Sequence, residues 1–180
     1  MSLSFRAATR ADLPCLRALA IQVFLDTYAT EGVRASLARE VEQQFAIATL
    51  QAQLDRGDGR ILLVEQAGHL IAFAQLRLAA PHEQVDDDAA TELERLYVQP
   101  AFQRRGVGGR LLAEVEQLAR GEASTTLWLT AWLGNARALA FYRSQGYHEL
   151  GSTTYAFEDE RYENRLFAKS LAGLPYIRAP

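Results

Sequence analysis

The sequence predicts a mixed α/β fold, with a central sheet of about six to seven strands flanked by helices. Three observations carry this. Stretches of helical periodicity alternate with short apolar runs along all 180 residues. Apolar residues make up 49% of the chain, enough for a substantial core. No repeat, low-complexity tract or linker interrupts the pattern, so residues 1–180 are expected to form one domain.

Each element has its own signal. Ser4 to Ala8 is a short first strand. Asp12 is placed to cap a helix whose residues Leu16, Leu19, Ala20, Val23 and Phe24 recur at helical spacing, with Pro14 in the first turn, where a missing N–H costs nothing. Val33 to Asp55 is rich in helix-forming Ala, Gln, Leu and Glu and is read as one helix or two. Gly57, Asp58 and Gly59 end it. Arg60 to Glu65 and His69 to Leu78 read as strands joined at the turn Ala67-Gly68. Ala80 to Ala90 is a loop whose acids Asp86, Asp87 and Asp88 are expected to be solvated. Glu92 to Val98 is a strand. Gly108 to Arg120 is a helix with Leu111, Leu112, Val115, Leu118 and Ala119 facing inward. Then come a strand from Thr126 to Ala131, a helix from Asn135 to Ser144, and two strands, Ser152 to Phe157 and Glu163 to Lys169.

Composition excludes several functions. The net charge is −3, which does not suit the many phosphate contacts of sequence-independent nucleic-acid binding. The single cysteine, Cys15, allows no internal disulfide and reads as a small core residue of a protein in a reducing compartment. No run approaches the ~20 apolar residues of a membrane helix, so the expected location is the cytoplasm, with no membrane partner. His69, His82 and His148 are scattered, and no metal is expected.

The segment with most chemical content follows the strand that ends at Val98. Pro100 stops that strand. Gln103-Arg104-Arg105-Gly106-Val107-Gly108-Gly109-Arg110 then leads straight into a helix. The first turn of a helix exposes unpaired N–H groups and a partial positive charge. Glycines let a ligand approach that backbone, and the arginines add full charges. A pyrophosphate is the natural guest. A P-loop would need Gly-Lys-Ser/Thr where this chain has Gly109-Arg110-Leu111, and a dinucleotide fingerprint would need a small residue at Leu111.

With these residues the chain resembles the GNAT N-acetyltransferase superfamily. The family's Gln/Arg-x-x-Gly-x-Gly/Ala stands here as Gln103-Arg104-Arg105-Gly106-Val107-Gly108. A second block, Asn-x-x-Ala-x-x-Phe-Tyr-x-x-x-Gly-Phe/Tyr, stands as Asn135, Ala138, Phe141, Tyr142, Gly146 and Tyr147 at matching spacing. The opening Phe5-Arg6-Ala7-Ala8-Thr9 with Asp12-Leu13 is also similar, so the likeness spans nearly the whole chain.

The resemblance implies a GNAT-like fold and acetyl-CoA as the acyl donor. Backbone groups of Leu96, Tyr97 and Val98 would hold the pantetheine arm, which can pair with an open strand as a peptide would. The strands splayed to make that opening would be Glu92 to Val98 and Thr126 to Ala131. Gln103, Arg104, Arg105, Gly106, Val107, Gly108, Gly109 and Arg110 would hold the pyrophosphate. Asn135, Ala138, Phe141 and Tyr142 would lie beside the thioester, with Tyr142 as acid for the leaving thiolate. A backbone N–H near Val98 would meet the oxyanion.

An alkyl ammonium with a pKa near ~10.4 costs roughly 4–5 kcal/mol to deprotonate at pH 7, which calls for a base. Glu92 and Glu94 alternate onto one face of their strand and are the candidates; ion pairing with Arg95 or Arg110 is their structural alternative. Phe24-Leu25-Asp26-Thr27-Tyr28 looks most like the spermine/spermidine acetyltransferase branch, and Asp26, Glu31 and the Asp86 to Asp88 run favour a cationic, polyamine-like acceptor. Protein N-termini, amino acids and aminoglycosides stay open, as do a longer acyl donor, homodimer formation, a catalytically silent acyl-CoA-binding module and a plain interaction domain.

Overall fold

The computed structural model describes residues 2–157 and 160–172. The one-domain expectation for residues 1–180 thus includes positions outside the described residues. The strands are β1 (Leu3–Ala7), β2 (Gly59–Gln66), β3 (His69–Arg77), β4 (Thr91–Val98), β5 (Thr126–Trp132), β6 (His148–Phe157) and β7 (Glu160–Ser170). The helices are α1 (Leu13–Tyr28), α2 (Ala35–Gln44), α3 (Ile47–Asp55), α4 (Val107–Gly121) and α5 (Ala136–Ser144). The strands form a seven-stranded sheet in the order β1-β2-β3-β4-β5-β7-β6. This is the mixed α/β sheet with flanking helices that the sequence predicts.

The chain divides into two compact units. One holds the described residues up to Gln75 together with Arg95–Ala113; the other holds Leu76–Glu94 and the described residues from Glu114 onward. In the first unit β1 pairs antiparallel with β2, from Leu3↔Gln66 to Ala7↔Leu62. The turn between β2 and β3 has positive φ at both Ala67 and Gly68, which a two-residue type I′ hairpin requires. The stripe Leu16, Leu19, Ala20, Val23 and Phe24 of α1 is buried as its spacing predicts. Phe24 meets Phe45 edge-on, with ring centroids 5.4 Å apart. Phe45 is also where the long helical stretch breaks into α2 and α3: its φ of −115° and ψ of 19° leave the helical region.

In the second unit β5 pairs antiparallel with β7 from Thr126↔Ser170 to Trp132↔Asn164, and β7 pairs antiparallel with β6. β4 and β5 are parallel, through Thr91↔Leu127 and Glu92↔Trp128 at the start of both strands. Strand β6 begins four residues before the predicted Ser152, because the left-handed Gly146 (φ 82°) ends the turn after α5 and lets the chain extend at once. A register shift between Glu149 and Gly151 conceals that start from a pattern reading.

Three sequence expectations are corrected. Cys15 is exposed, not in the core, because it lies off the Leu16–Leu19–Val23 stripe of α1. Asp12 occupies the N-cap position of α1 without a side-chain cap bond there. Its carboxylate instead accepts from the Thr9 N–H at 2.8 Å and from both terminal nitrogens of Arg6. The acidic loop is not simply solvated. Asp87 accepts from the Ala89 N–H at 2.9 Å and the Thr125 hydroxyl at 2.7 Å, and Trp128 Nε1 donates to the Ala80 carbonyl at 2.7 Å, so the loop is tied down. No helix among the described residues is long and apolar enough to cross a membrane.

Candidate active site

The first unit contains the glycine-rich segment. The Gln99 N–H donates to the Ile71 carbonyl at 2.9 Å as the chain leaves β4, and Pro100–Phe102 form one tight turn. Gln103 Nε2 reaches back to the Val98 carbonyl at 2.9 Å, which fixes the loop against the strand end. Arg104 (φ 61°) and Gly106 (φ 79°) both take the left-handed conformation. A Cβ on Gly106 would meet nothing within 4 Å, so its backbone angle, not crowding, selects glycine there. Buried Val107 anchors the start of α4. The Arg110 N–H bonding the Gly106 carbonyl at 3.1 Å is the helical pairing at this end, which leaves the N–H groups of Val107, Gly108 and Gly109 without helical partners.

The start of α4 thus presents a row of backbone N–H donors. Exposed Arg105 lies 5.6 Å from the Phe102 ring centroid, and Arg110 5.4 Å from that of Phe5. Both guanidiniums are therefore held by aromatic faces. The donor set fits a pyrophosphate. Just upstream, Leu96 and Tyr97 are half-buried and Val98 is buried. Burial around the Tyr97 hydroxyl raises its pKa, against a smaller opposing effect of Arg95.

The second unit contains the predicted carboxylates and the Tyr142 helix. Glu92 is paired with Arg77, its Oε2 2.6 Å from Nη2, while a Glu94 oxygen lies 4.0 Å from Arg77 Nε. The cation is thus Arg77, not the Arg95 or Arg110 weighed from sequence. Arg77 escaped the sequence reading because strand pairing brings it to Glu92 across fifteen residues, and no local spacing encodes that.

Asn135 caps α5: its Oδ1 accepts from the Ala138 N–H at 3.0 Å. That structural role was legible from an asparagine opening a helix. Ala138 and Phe141 are half-buried. Tyr142 is 8% exposed, its ring held by Phe141, Tyr147 and Phe167 at centroid distances of 5.2, 5.8 and 6.2 Å. Tyr147 closes the same motif. Its hydroxyl donates to Glu116 Oε1 at 3.1 Å, and Lys169 Nζ reaches the same oxygen at 2.8 Å. Burial first, and then the Glu116 charge, hold the Tyr147 pKa well above its ordinary value. Tyr147 is therefore a structural member of the motif, locking the turn after α5.

The sequence profile of the acetyltransferase (GNAT) family matches residues 24–147. The chain belongs to the GNAT acetyltransferase family. A relative from Lactobacillus delbrueckii subsp. lactis, described as an uncharacterized N-acetyltransferase in the pepI 3′ region, is 27% identical over 161 residues, covering 89% of this chain and 92% of its own. The PaiA N-acetyltransferase of Thermoplasma acidophilum, solved with coenzyme A, superposes with a TM-score of 0.71 at 20% identity, over 92% of this chain and 98% of that one. An acetyltransferase of Salmonella typhimurium, solved with its cofactor acetyl-CoA, gives 0.68 at 17% identity over 100% of both chains. At these identities the two structures show a shared GNAT fold.

Proposed function

We propose that this GNAT protein transfers an acetyl group from acetyl-CoA to a primary amine, with the whole chain acting as one catalytic domain. The observation that carries this reading is the anion cradle at the start of α4, where the N–H groups of Val107, Gly108 and Gly109 lack helical partners beside Arg104 and Arg105. Acetyl-CoA would supply the acyl thioester, its pyrophosphate on these groups and its pantetheine along Leu96–Val98.

Glu92 or Glu94 would accept the amine's proton, directly or through water; a Glu92 oxygen takes a 2.6 Å charge-assisted bond from Arg77, and a Glu94 oxygen lies 4.0 Å from Arg77 Nε. Tyr142 would give a proton to the departing thiolate. Asn135 and Ala138 would border the thioester.

A polyamine-like acceptor is supported by the exposed acids Asp26, Glu31, Asp86 and Asp88. Both Asp87 oxygens are already engaged within the loop. A thiol-release assay with acetyl-CoA against a panel of primary amines tests the function. Gly108→Glu is expected to abolish acetyl-CoA binding by calorimetry with the fold intact, because its side chain would enter the cradle. Unchanged affinity would remove the pyrophosphate assignment, and binding without turnover on any amine would leave a silent acyl-CoA module.

A further inference from the structure

In the second unit one face of the sheet carries both the carboxylates and a group of aromatic rings. Strand register sets Glu92 beside Trp128, Trp132 beside Asn164 and Tyr155 beside Tyr162. Side chains alternate along a strand, so Glu92 and Glu94 of β4, Thr130 and Trp132 of β5, and Asn164 and Tyr162 of β7 share this face. One end of it is closed: Trp128 and Leu166 pack with Ala80, Val85 and Ala90 of the acidic loop. Farther along, Thr130, Trp132, Asn164 and Tyr162 are only half-buried, whereas Leu129 and Ala131 on the other face are buried. The face therefore loses its cover along β5 in the direction of Trp132.

Trp132 is held in a defined pose there. A Cβ on Gly134 would stand 2.3, 2.5 and 2.6 Å from Cζ2, Cε2 and Cη2 of the indole. Adjacent atoms of one ring at such similar distances put Gly134 over a ring face, so glycine is what lets the indole lie flat on the chain. Tyr162 stands beside it, with ring centroids 5.8 Å apart and planes at 81°. Its hydroxyl donates to Glu160 Oε2 on the same strand and face. The two rings are the walls of a corner, and Tyr155, 38% exposed, adds a third ring across the β6–β7 pair.

Aromatic faces attract ammonium groups, tryptophan most strongly. Glu92, Glu94 and Glu160 share the face, and Arg77 balances only part of their charge. Glu94 and Thr130 each stand two residues beyond the Glu92↔Trp128 pair, and Trp132 is two further, roughly 7 Å along β5. A short alkyl spacer bridges that offset. We propose that the Trp132–Tyr162 corner binds a second ammonium group of the acceptor, so that the acceptor is a diamine or longer polyamine acetylated at one end and held here at the other. This deepens, and rests on, the acetyltransferase reading in which Glu92 or Glu94 takes the proton of the reacting amine. Trp132 and Tyr162 are specificity-determining residues that touch the acceptor away from the reacting atoms.

Product probes test this without needing turnover. N-acetylputrescine, N-acetylcadaverine and N-acetylspermidine are titrated by calorimetry onto the full chain with coenzyme A present. Each is paired with the N-alkylacetamide that ends in a methyl group where the probe has its terminal ammonium. In at least one pair the ammonium probe is expected to bind about 10-fold tighter, the scale of a partly desolvated cation–π contact. Trp132→Leu should cut that preference to about 3-fold or less and Trp132→Phe should keep part of it, both with coenzyme A affinity unchanged. The native-chain comparison needs no variant, and Tyr162→Leu supplies the variant arm if Trp132→Leu does not fold. Equal affinity within every pair, no binding of any ammonium probe, or a preference untouched in Trp132→Leu and Tyr162→Leu overturns the proposal. If alkylamines are acetylated while no pair shows a preference, the acetyltransferase reading stands and the corner falls. If ammonium probes bind selectively through Trp132 while no amine is acetylated, the enzymatic reading fails and the corner stands.

Discussion

Arg77 Nη2 lies 2.6 Å from Glu92 Oε2, whereas its Nε is 4.0 Å from a Glu94 oxygen. The two carboxylates of one strand are thus bound unequally by one cation. For whichever of Glu92 and Glu94 is the base, the Gln variant is expected to be strongly impaired at pH 7. It should partly recover toward pH 9–10, where solvent removes more of the proton from an amine with a pKa near ~10.4. Rate–pH profiles at saturating substrates measure this. A pH-independent loss in both Glu92→Gln and Glu94→Gln, or native profiles in both variants and the double variant, would return the carboxylates to an ion-pair role with Arg77.

Tyr142→Phe keeps the ring that packs on Phe141, Tyr147 and Phe167 and deletes only the hydroxyl. Turnover is expected to fall ~10–1,000-fold, within the general-acid range and below, with little change in acetyl-CoA affinity. Native turnover at saturating substrates would dismiss the acid role and leave Tyr142 as a core aromatic.

Asn135 is expected to contribute to stability independently of any contact with ligand. Asn135→Ala removes the acceptor for the Ala138 N–H and should cost about 1 kcal/mol in urea unfolding, while Asn135→Asp should retain most of it. An unshifted midpoint in Asn135→Ala would mean that water replaces the cap.

The bidentate Arg6 guanidinium, helped by the Thr9 N–H, holds the Asp12 carboxyl well below the usual carboxylate range. A depressed pKa contributes stability above the unfolded value of ~3.9 and loses it as pH falls through the folded value. Asp12→Asn should therefore be less stable than the native chain at pH 6–7, and the gap should narrow as pH drops below ~4. Denaturant midpoints across pH report it; a gap that stays constant down to pH 2 would contradict the ion-pair origin.

How far the sequence can be read depends on how local the cause is. The turn and helix start between Gln103 and Gly109 were legible because glycine spacing and a helix start are adjacent in the chain. The stripe on α1 was legible from its period, and the same period places Cys15 outside it, a signal that composition alone obscured. Arg77 was not legible as the partner of Glu92, nor Glu116 as the partner of Tyr147 and Lys169, because sheet and helix packing join residues that no short window contains. Asn135 shows a third case. The residue was singled out, but its helix-capping geometry competes with the ligand role suggested by the family motif.

The exposure of Cys15 on α1 has a practical consequence for any enzymology on this chain. A chromogenic disulfide reagent added to follow coenzyme A release will also titrate this thiol, producing one equivalent of colour per chain before any amine is added. Rates must then be taken from the slope after that burst. The burst itself counts protein molecules, and Cys15→Ser removes it without opening a hole, since the side chain faces water.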